Sequence, residues 1–437
     1  MIHASYDCIV VGAGVAGLYA TRELLKQHPT WRIALAERYK GLGGRTYSYW
    51  PPGFDGVHWE MGAGRIHTSH TMLMKLIDEY RLHWSPIPDT ITYKHSSHSS
   101  IVPNPFEMLI VPLYIAPLQN LSPTVLAANT IVTLMNKLYG ITLTKTLLNY
   151  FPYKAEINIM RADLALKGFL KGGEMSTHSG YGILQEGFGE LVARLRKDIE
   201  SRGAVVLNRH KLTHLVSAGE TRGKATDLTF EFGYNEPGKP HGTIVLRAEK
   251  ACVLALHKDA VAELNEFNGW SVLKHLQTAP LLRCYAIFDT SKGPVWFSNM
   301  TRVVTPMRPR YILPMNPAEG TIMISYTDAD DTKEYMRIQK AGGDKALQKT
   351  IMSDIRHLFP NQHIPNPLFF RSHPWETGCT YWLPGSYSPQ KASEAAIHPL
   401  PSKLPGVWLC GESWSMRQCW VEGALEHTHA MLRMLHI

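Results

Sequence analysis

The sequence predicts an α/β fold of the Rossmann-like type, and three observations near the N-terminus carry that reading. Ile9, Val10 and Val11 form a continuous apolar run, as does a strand buried on both faces of a parallel sheet. Gly12-Ala13-Gly14-Val15-Ala16-Gly17 follows without a break and opens a helical pattern. Glu37 stands twenty residues beyond Gly17, at the end of a second apolar strand that begins at Arg32.

Each element has a physical reason. Gly12 permits the tight turn, Gly14 lets backbone approach a pyrophosphate, and Gly17 lets the helix pack on the strand. The helix N-terminus offers unpaired N–H groups and a positive dipole end to phosphates. Glu37 then occupies the place where a carboxylate accepts hydrogen bonds from ribose hydroxyls. Strand, glycines, helix, second strand and acid together predict a dinucleotide site.

Length and composition agree. A chain of 437 residues is too long for one ordinary core, so two intertwined domains are expected. With 44% hydrophobic and 19% charged residues, the composition is that of a folded protein. Cys8, Cys252, Cys284, Cys379, Cys410 and Cys419 are scattered, with neither a CxxC pair nor a disulfide pattern. Reduced thiols and a cytoplasmic location are the expectation, and no signal peptide is expected before Tyr6. Residues 106–118 are apolar, but Pro112 and Pro117 interrupt them and they are too short to span a bilayer. The formal charge is +8, without a basic run interleaved with aromatics, so nucleic acid is not an expected partner. A basic protein works against drawing in polycations and accommodates anionic or zwitterionic substrates more easily.

Further segments carry a family resemblance. Gly41-Leu42-Gly43-Gly44-Arg45-Thr46 follows Glu37 and Arg38 almost at once. Trp59-Glu60-Met61-Gly62-Ala63-Gly64-Arg65 comes next, and Gly180 to Val192 carries a third glycine-rich stretch before an amphipathic helix reaching about Arg202. Near the C-terminus, Gly406-Val-Trp-Leu-Cys-Gly411-Glu412 reads as a strand, and Cys419-Trp420-Val421 opens the last helix. In these stretches (residues 5–80, 180–216 and 370–434) the chain resembles the flavin amine oxidase superfamily. The resemblance implies FAD, and a Rossmann-like FAD-binding domain of the glutathione-reductase type with an interleaved α+β substrate domain. The FAD domain would comprise residues 1–80, 180–255 and 395–437, and the substrate domain residues 81–179, mainly helical, and 256–394, with a mixed sheet. Arg45 would reach the pyrophosphate and Leu212 would meet the adenine. Gly62 and Gly64 would run past the flavin ring, with Gly411, Glu412, Trp420 and Val421 against its electron-rich edge, where the last helix's dipole favours negative charge.

Strand-like runs at Tyr285–Phe288, Tyr311–Pro314 and Thr321–Tyr326 suggest the mixed sheet. Residues 121–150 read as helical, and 218–242 as surface loops.

The resemblance also implies the chemistry: hydride leaves an amine-bearing carbon for the flavin, the imine hydrolyses, and oxygen takes the electrons as hydrogen peroxide. Four positions separate subfamilies. Trp420 stands eight residues after Glu412, where monoamine oxidases carry tyrosine and L-amino-acid oxidases tryptophan. Arg65 resembles the arginine with which L-amino-acid oxidases grip the substrate carboxylate; the alternative is a structural arginine beneath the flavin. Arg283 takes the place of a lysine that holds water against the flavin; an arginine could hold a water or a carboxylate but does not shed its proton. Cys379 resembles the cysteine that monoamine oxidases bond to the flavin, and Thr380 or Tyr381 would line the pocket opposite Trp420. The expected activity is FAD-dependent oxidation of an L-amino acid by oxygen. A monoamine or polyamine oxidase, and a catalytically weak flavoprotein serving as a binding module, remain the alternatives. A small-molecule amine or amino acid is the expected partner, and a homodimer is left open.

Overall fold

The computed structural model describes residues 2–95, 103–170, 180–219, 223–235, 238 and 240–435. The apolar run Ala4–Val11 lies inside a seven-stranded sheet, between Gly242–Leu254 and Ile33–Glu37, parallel to both. Its residues Ile9 and Val10 are fully buried, which is why the run is apolar on both faces. Val205–Asn208 extends the parallel part beyond Ile33–Glu37, and Val407–Leu409 pairs beside Gly242–Leu254. His210–Ser217 and Thr226–Phe232 complete the sheet as antiparallel strands.

The strand Thr226–Phe232 lies where loops are expected from sequence. Its alternation was present, with Thr226, Leu228 and Phe230 buried and Glu231 exposed. The Gly, Pro and Lys residues flanking it masked that period of two. Residues 220–222, 236, 237 and 239 of the expected loop lie outside the described residues.

The glycines of the first turn each answer a different demand. Gly12 has φ +97°, and a Cβ there would sit 2.5 Å from the Ala255 carbonyl oxygen. A Cβ on Gly17 would sit 1.9 Å from the Gly12 carbonyl oxygen, so helix Val15–Gln27 packs on the strand only through a glycine. Gly14 is different: its Cβ would meet only the Gly43 oxygen, at 3.8 Å. The open side of that residue is the cavity described below.

A second, six-stranded sheet runs Phe369–Trp382, Leu276–Ile287, Thr321–Asp328, Tyr311–Asn316, Arg302–Val304, Ile91–Tyr93. All its pairings are antiparallel except the last. The three strand-like runs of the sequence fall on this sheet. Helices from Phe106 to Phe169 share a separate apolar core. Phe106–Ile115 is a wide π-helix with Pro112 inside it, followed by a 3₁₀ turn, so its prolines shape the helix rather than exclude it. Ser122 and Thr130 accept hydrogen bonds from the Val125 and Thr133 amides and so start the helices Pro123–Ala127 and Ile131–Tyr139. Among the described residues no helix is long and apolar enough to cross a membrane.

These contacts make a paired prediction. Gly17→Ala should lower unfolding stability by about 1–3 kcal/mol through overpacking, whereas Gly14→Ala should change it by less than about 1 kcal/mol. Urea denaturation of the two variants beside the parent measures the difference.

Candidate functional site

A cavity of about 880 Å³ begins where the parallel strands end, beside Glu37, Arg38 and Leu212, and reaches the second sheet at Arg283, Tyr326 and Cys379. Gly12, Gly14, Gly43, Gly44, Arg45, Gly62, Gly64, Arg65, Gly411, Glu412, Trp420 and Val421 line it as well. The sequence therefore located most of one wall-to-wall site from segments far apart in the chain. Gly17 lies behind the wall, in the packing role expected of it.

At the first end, helix Val15–Gln27 presents its N-terminus without a side-chain cap. The Glu37 carboxylate accepts the Ala13 N–H at 2.9 Å and the Tyr39 N–H at 3.0 Å. Burial raises its pKa, and those backbone bonds pull the other way. Glu37 thus braces the turn while its remaining lone pairs are available to ribose hydroxyls. His257, also on the wall, is driven down to about 3 by burial and by the charges of Arg45 and Arg38. It is neutral, and its Nδ1 accepts the Asp259 N–H at 3.2 Å.

In the middle, Arg45 donates to the Gly378 carbonyl at 3.0 Å and pairs with Glu412 at 2.8 Å. Its guanidinium, expected to reach a pyrophosphate, is committed to protein groups on one side. Burial opposes its charge, but Glu412 more than offsets that and the pKa rises. Glu412 also accepts the Cys419 N–H at 2.8 Å and the Thr380 N–H at 3.4 Å. Gly62 is obligatory here, since its Cβ would sit 2.1 Å from the Arg45 carbonyl oxygen.

At the far end Arg65 stands inside a box of rings. Its guanidinium carbon lies 4.7 Å from the Tyr153 ring centre, 5.2 Å from that of Tyr181 and 5.5 Å from that of Trp420. Among the described residues no carboxylate comes within 4 Å of it. Burial disfavours its charge, and the surrounding tyrosines raise its pKa above the ordinary value. Trp420 is held by an edge contact to His70 at 4.9 Å and by stacking on Tyr181. It precedes the last helix, which begins at Val421 rather than Cys419.

Arg283 also faces the cavity, over the Tyr326 ring at 5.4 Å. It reaches the Glu60 carbonyl and the Tyr285 hydroxyl only at 3.5 Å, and its Nε is buried without a partner. Gly64 makes room for it: a Cβ at Gly64 would sit 2.9 Å from an Arg283 nitrogen. The glycine at 64 and the arginine at 283 therefore depend on each other for space.

Two expected residues do not line the cavity. Thr380 is fully buried and its hydroxyl meets the Ser413 hydroxyl at 2.8 Å. Strand alternation turns it away from the face that Cys379 uses. Tyr381 is buried among Ala155, Ala279 and Ala329. Tyr181 instead stacks on Trp420, and Tyr153 lies over Arg65.

Sequence reasoning missed Tyr153, Glu156 and Tyr326. Glu156 lines the cavity from the short helix Ala155–Asn158, with one carboxylate oxygen buried and unpartnered. Burial and the nearby Asp328 charge raise its pKa. A signal existed: from 103 to 153 the only charged residues are Glu107, Lys137 and Lys145, so an acid closing that stretch is conspicuous.

Behind Gly64, Glu60 accepts the Ser48 hydroxyl at 2.8 Å and the Phe188 N–H at 3.0 Å, while its other oxygen has no partner. Burial raises its pKa to about 7. A carboxyl raised on folding costs nothing while both states are protonated. It becomes destabilising as pH climbs past the unfolded value toward 7, by at most about 3 kcal/mol. Glu60→Gln should therefore match the parent in melting temperature near pH 4.5 and exceed it at pH 8. Thermal scans across that range check the crossing.

The comparisons with known proteins agree with this geometry. The family model described as flavin containing amine oxidoreductase matches residues 15–428. Putrescine oxidase of Kocuria rosea is 41% identical over 76 residues, which is 17% of this chain and 15% of that protein. (S)-6-hydroxynicotine oxidase of Paenarthrobacter nicotinovorans is 32% identical over 91 residues, 21% of each chain. An L-amino acid dehydrogenase of Synechocystis sp. is 31% identical over 85 residues, 20% of this chain and 17% of that one. The chain thus aligns with only a short part of these relatives. The structure of wild-type putrescine oxidase bound to putrescine superposes with a TM-score of 0.72 at 12% identity, over 99% of both chains. A cofactor-binding redesign of putrescine oxidase gives 0.74 at 13% identity, over 99% of this chain and 100% of that one. The chain belongs to the flavin-containing amine oxidoreductases, and FAD is its cofactor.

Proposed function

We propose that the protein oxidises the amine-bearing carbon of an L-amino acid, with Arg65 as the anchor for the substrate carboxylate and oxygen as the electron acceptor. The observation that carries this reading is a guanidinium facing the cavity with aromatic faces around it and, among the described residues, no carboxylate within 4 Å. A planar fork with free donors in a poorly hydrated box suits a carboxylate. Arg283, with its buried unpartnered Nε, adds a second donor to the same region.

The cavity fits FAD by its donor set. Gly14 leaves the uncapped helix N-terminus open to a pyrophosphate, Glu37 stands at the ribose position, and Leu212 offers an apolar contact for the adenine. Arg38, Gly43, Gly44 and Arg45 would border the phosphates, and Gly62, Gly64, Gly411, Glu412 and Val421 the flavin. Bound there, FAD supplies the acceptor for a hydride. The residues around it bind and orient. Arg65 fixes the carboxylate, Trp420 and Tyr153 confine the substrate on either side, and the rings exclude water from the reacting carbon. The dipole of helix Val421–Leu435 favours negative charge at its N-terminus, beside Trp420.

A second reading has its own support. The unpartnered oxygen of Glu156 would attract an ammonium group, as a diamine substrate carries, and putrescine oxidase is among the similar proteins.

Three outcomes test the assignment. Purified protein should hold one FAD, and Glu37→Ala should weaken its retention by about 1.5–3 kcal/mol, the worth of a charge-assisted hydrogen bond. Gel filtration followed by absorbance of the eluted protein reads this. Arg65→Met should lower kcat/KM for phenylalanine by roughly two to three decades, from about 3–5 kcal/mol of unpaired charge. Phenethylamine, which lacks the carboxylate, should change little. If both fall equally, Arg65 is structural. If Glu156→Gln instead abolishes turnover of putrescine while phenylalanine is never a substrate, the diamine reading replaces this one.

A further inference from the structure

Four of the six cysteines are buried in the cores: Cys8, Cys252, Cys284 and Cys410. The two that are half-buried, Cys379 and Cys419, line the same cavity and pack against the same cluster of small apolar residues. They come from different parts of the fold. Cys379 is on the strand Phe369–Trp382 of the six-stranded sheet, and Cys419 is in the loop that leads into helix Val421–Leu435.

One carboxylate oxygen fixes their separation. Glu412 Oε1 accepts the Cys419 N–H at 2.8 Å and, more weakly, the N–H of Thr380, the residue after Cys379, at 3.4 Å. Cys419 Sγ lies 3.7 Å from the carbonyl oxygen of Thr380, the residue that follows Cys379. Cys419 is also held at φ +71°, a left-handed conformation that a non-glycine residue rarely adopts without surrounding constraint. With both side chains in one cluster and on one cavity wall, side-chain rotation is the movement that brings the sulfurs to a bond of about 2.05 Å.

We propose that Cys379 and Cys419 form a redox-active dithiol in the cavity wall, which a hydroperoxide oxidises to a disulfide joining the second sheet to the C-terminal helix. This goes beyond the substrate reading and does not depend on it. Burial and the neighbouring Cys379 keep the Cys419 thiol protonated. Cys379, on the strand that lines the cavity, is the attacking group. The Cys379 sulfur attacks the peroxide, an S–O bond forms and the O–O bond breaks. The departing oxygen takes a proton and leaves as water or alcohol. The Cys419 sulfur then attacks the sulfenic sulfur, an S–S bond forms, the S–O bond breaks and water leaves with the Cys419 proton. Two thiols are oxidised by two electrons and one peroxide is reduced.

The test uses the holoenzyme treated with hydrogen peroxide, then denatured, alkylated and digested with trypsin. The expected result is loss of two of the six alkylatable thiols and a linked pair of peptides, Ser372–Lys391 with Gln418–Arg433, that dithiothreitol separates. In Cys419→Ser, Cys379 should instead be trapped by dimedone as the sulfenic acid. Six alkylatable thiols after peroxide treatment would overturn the proposal. So would a disulfide or sulfenic acid confined to other cysteines, or flavin found covalently on the Cys379 peptide.

Discussion

The Glu412 carboxylate ties together three stretches of chain, one of them more than three hundred residues away in sequence. It pairs with Arg45 from the N-terminal glycine loop, and it accepts backbone N–H groups from Thr380 on the second sheet and from Cys419 before the last helix. A buried carboxylate loses its hydration, so its lone pairs must all find partners within the protein. Meeting that demand brings the glycine loop, the strand Phe369–Trp382 and the start of helix Val421–Leu435 to one point on the cavity. Arg45, itself anchored to Gly378, completes the clamp. The site exists where these segments converge.

What distinguishes this cavity from the pattern its family leads one to expect is the amount of positive charge it keeps. Arg65 and Arg283 both face it, and neither pairs with a carboxylate among the described residues. A glycine at 64 is what gives the Arg283 head its space. Arginine keeps its proton where a buried lysine can lose it, so Arg283 holds a fixed charge next to Tyr326 instead of serving as an acid or base. The rings of Tyr153, Tyr181 and Trp420 lower the cost of the Arg65 charge without neutralising it. Glu156, on the same wall, has its pKa raised by burial and by the Asp328 charge, so the two guanidiniums are the fixed charges there.

Local sequence was enough for the parallel sheet and the glycine turn, because the apolar run, the glycine spacing and the following helical pattern lie within one short stretch of chain. Gly12, Gly14 and Gly17 differ in what a Cβ would strike, and the spacing alone separates their roles. Thr380 was misplaced because a motif names a strand but not which of its faces meets the cavity, and Tyr381, on the Cys379 face, because small residues from other segments cover it. The partners that bury them, Ser413 and Ala155, come from elsewhere in the chain. Tyr153 was invisible for a related reason, and Glu156 was marked only by the scarcity of charge in the stretch before it. They belong to a helical layer with no motif, and only tertiary packing carries them to Arg65. The antiparallel strand Thr226–Phe232 was hidden by turn-forming neighbours, although its alternation could have been read.

The central claim is that Arg65 is an unpaired cation awaiting a carboxylate, and binding without turnover tests it most directly. Benzoate carries the carboxylate and has no amine to oxidise. Titrated into the FAD-loaded protein, it should perturb the flavin absorption band and saturate, and Arg65→Met should weaken that binding by roughly two to three decades, the equivalent of about 3–4 kcal/mol. Equal affinity in the two proteins, or no perturbation in the parent, would contradict the account.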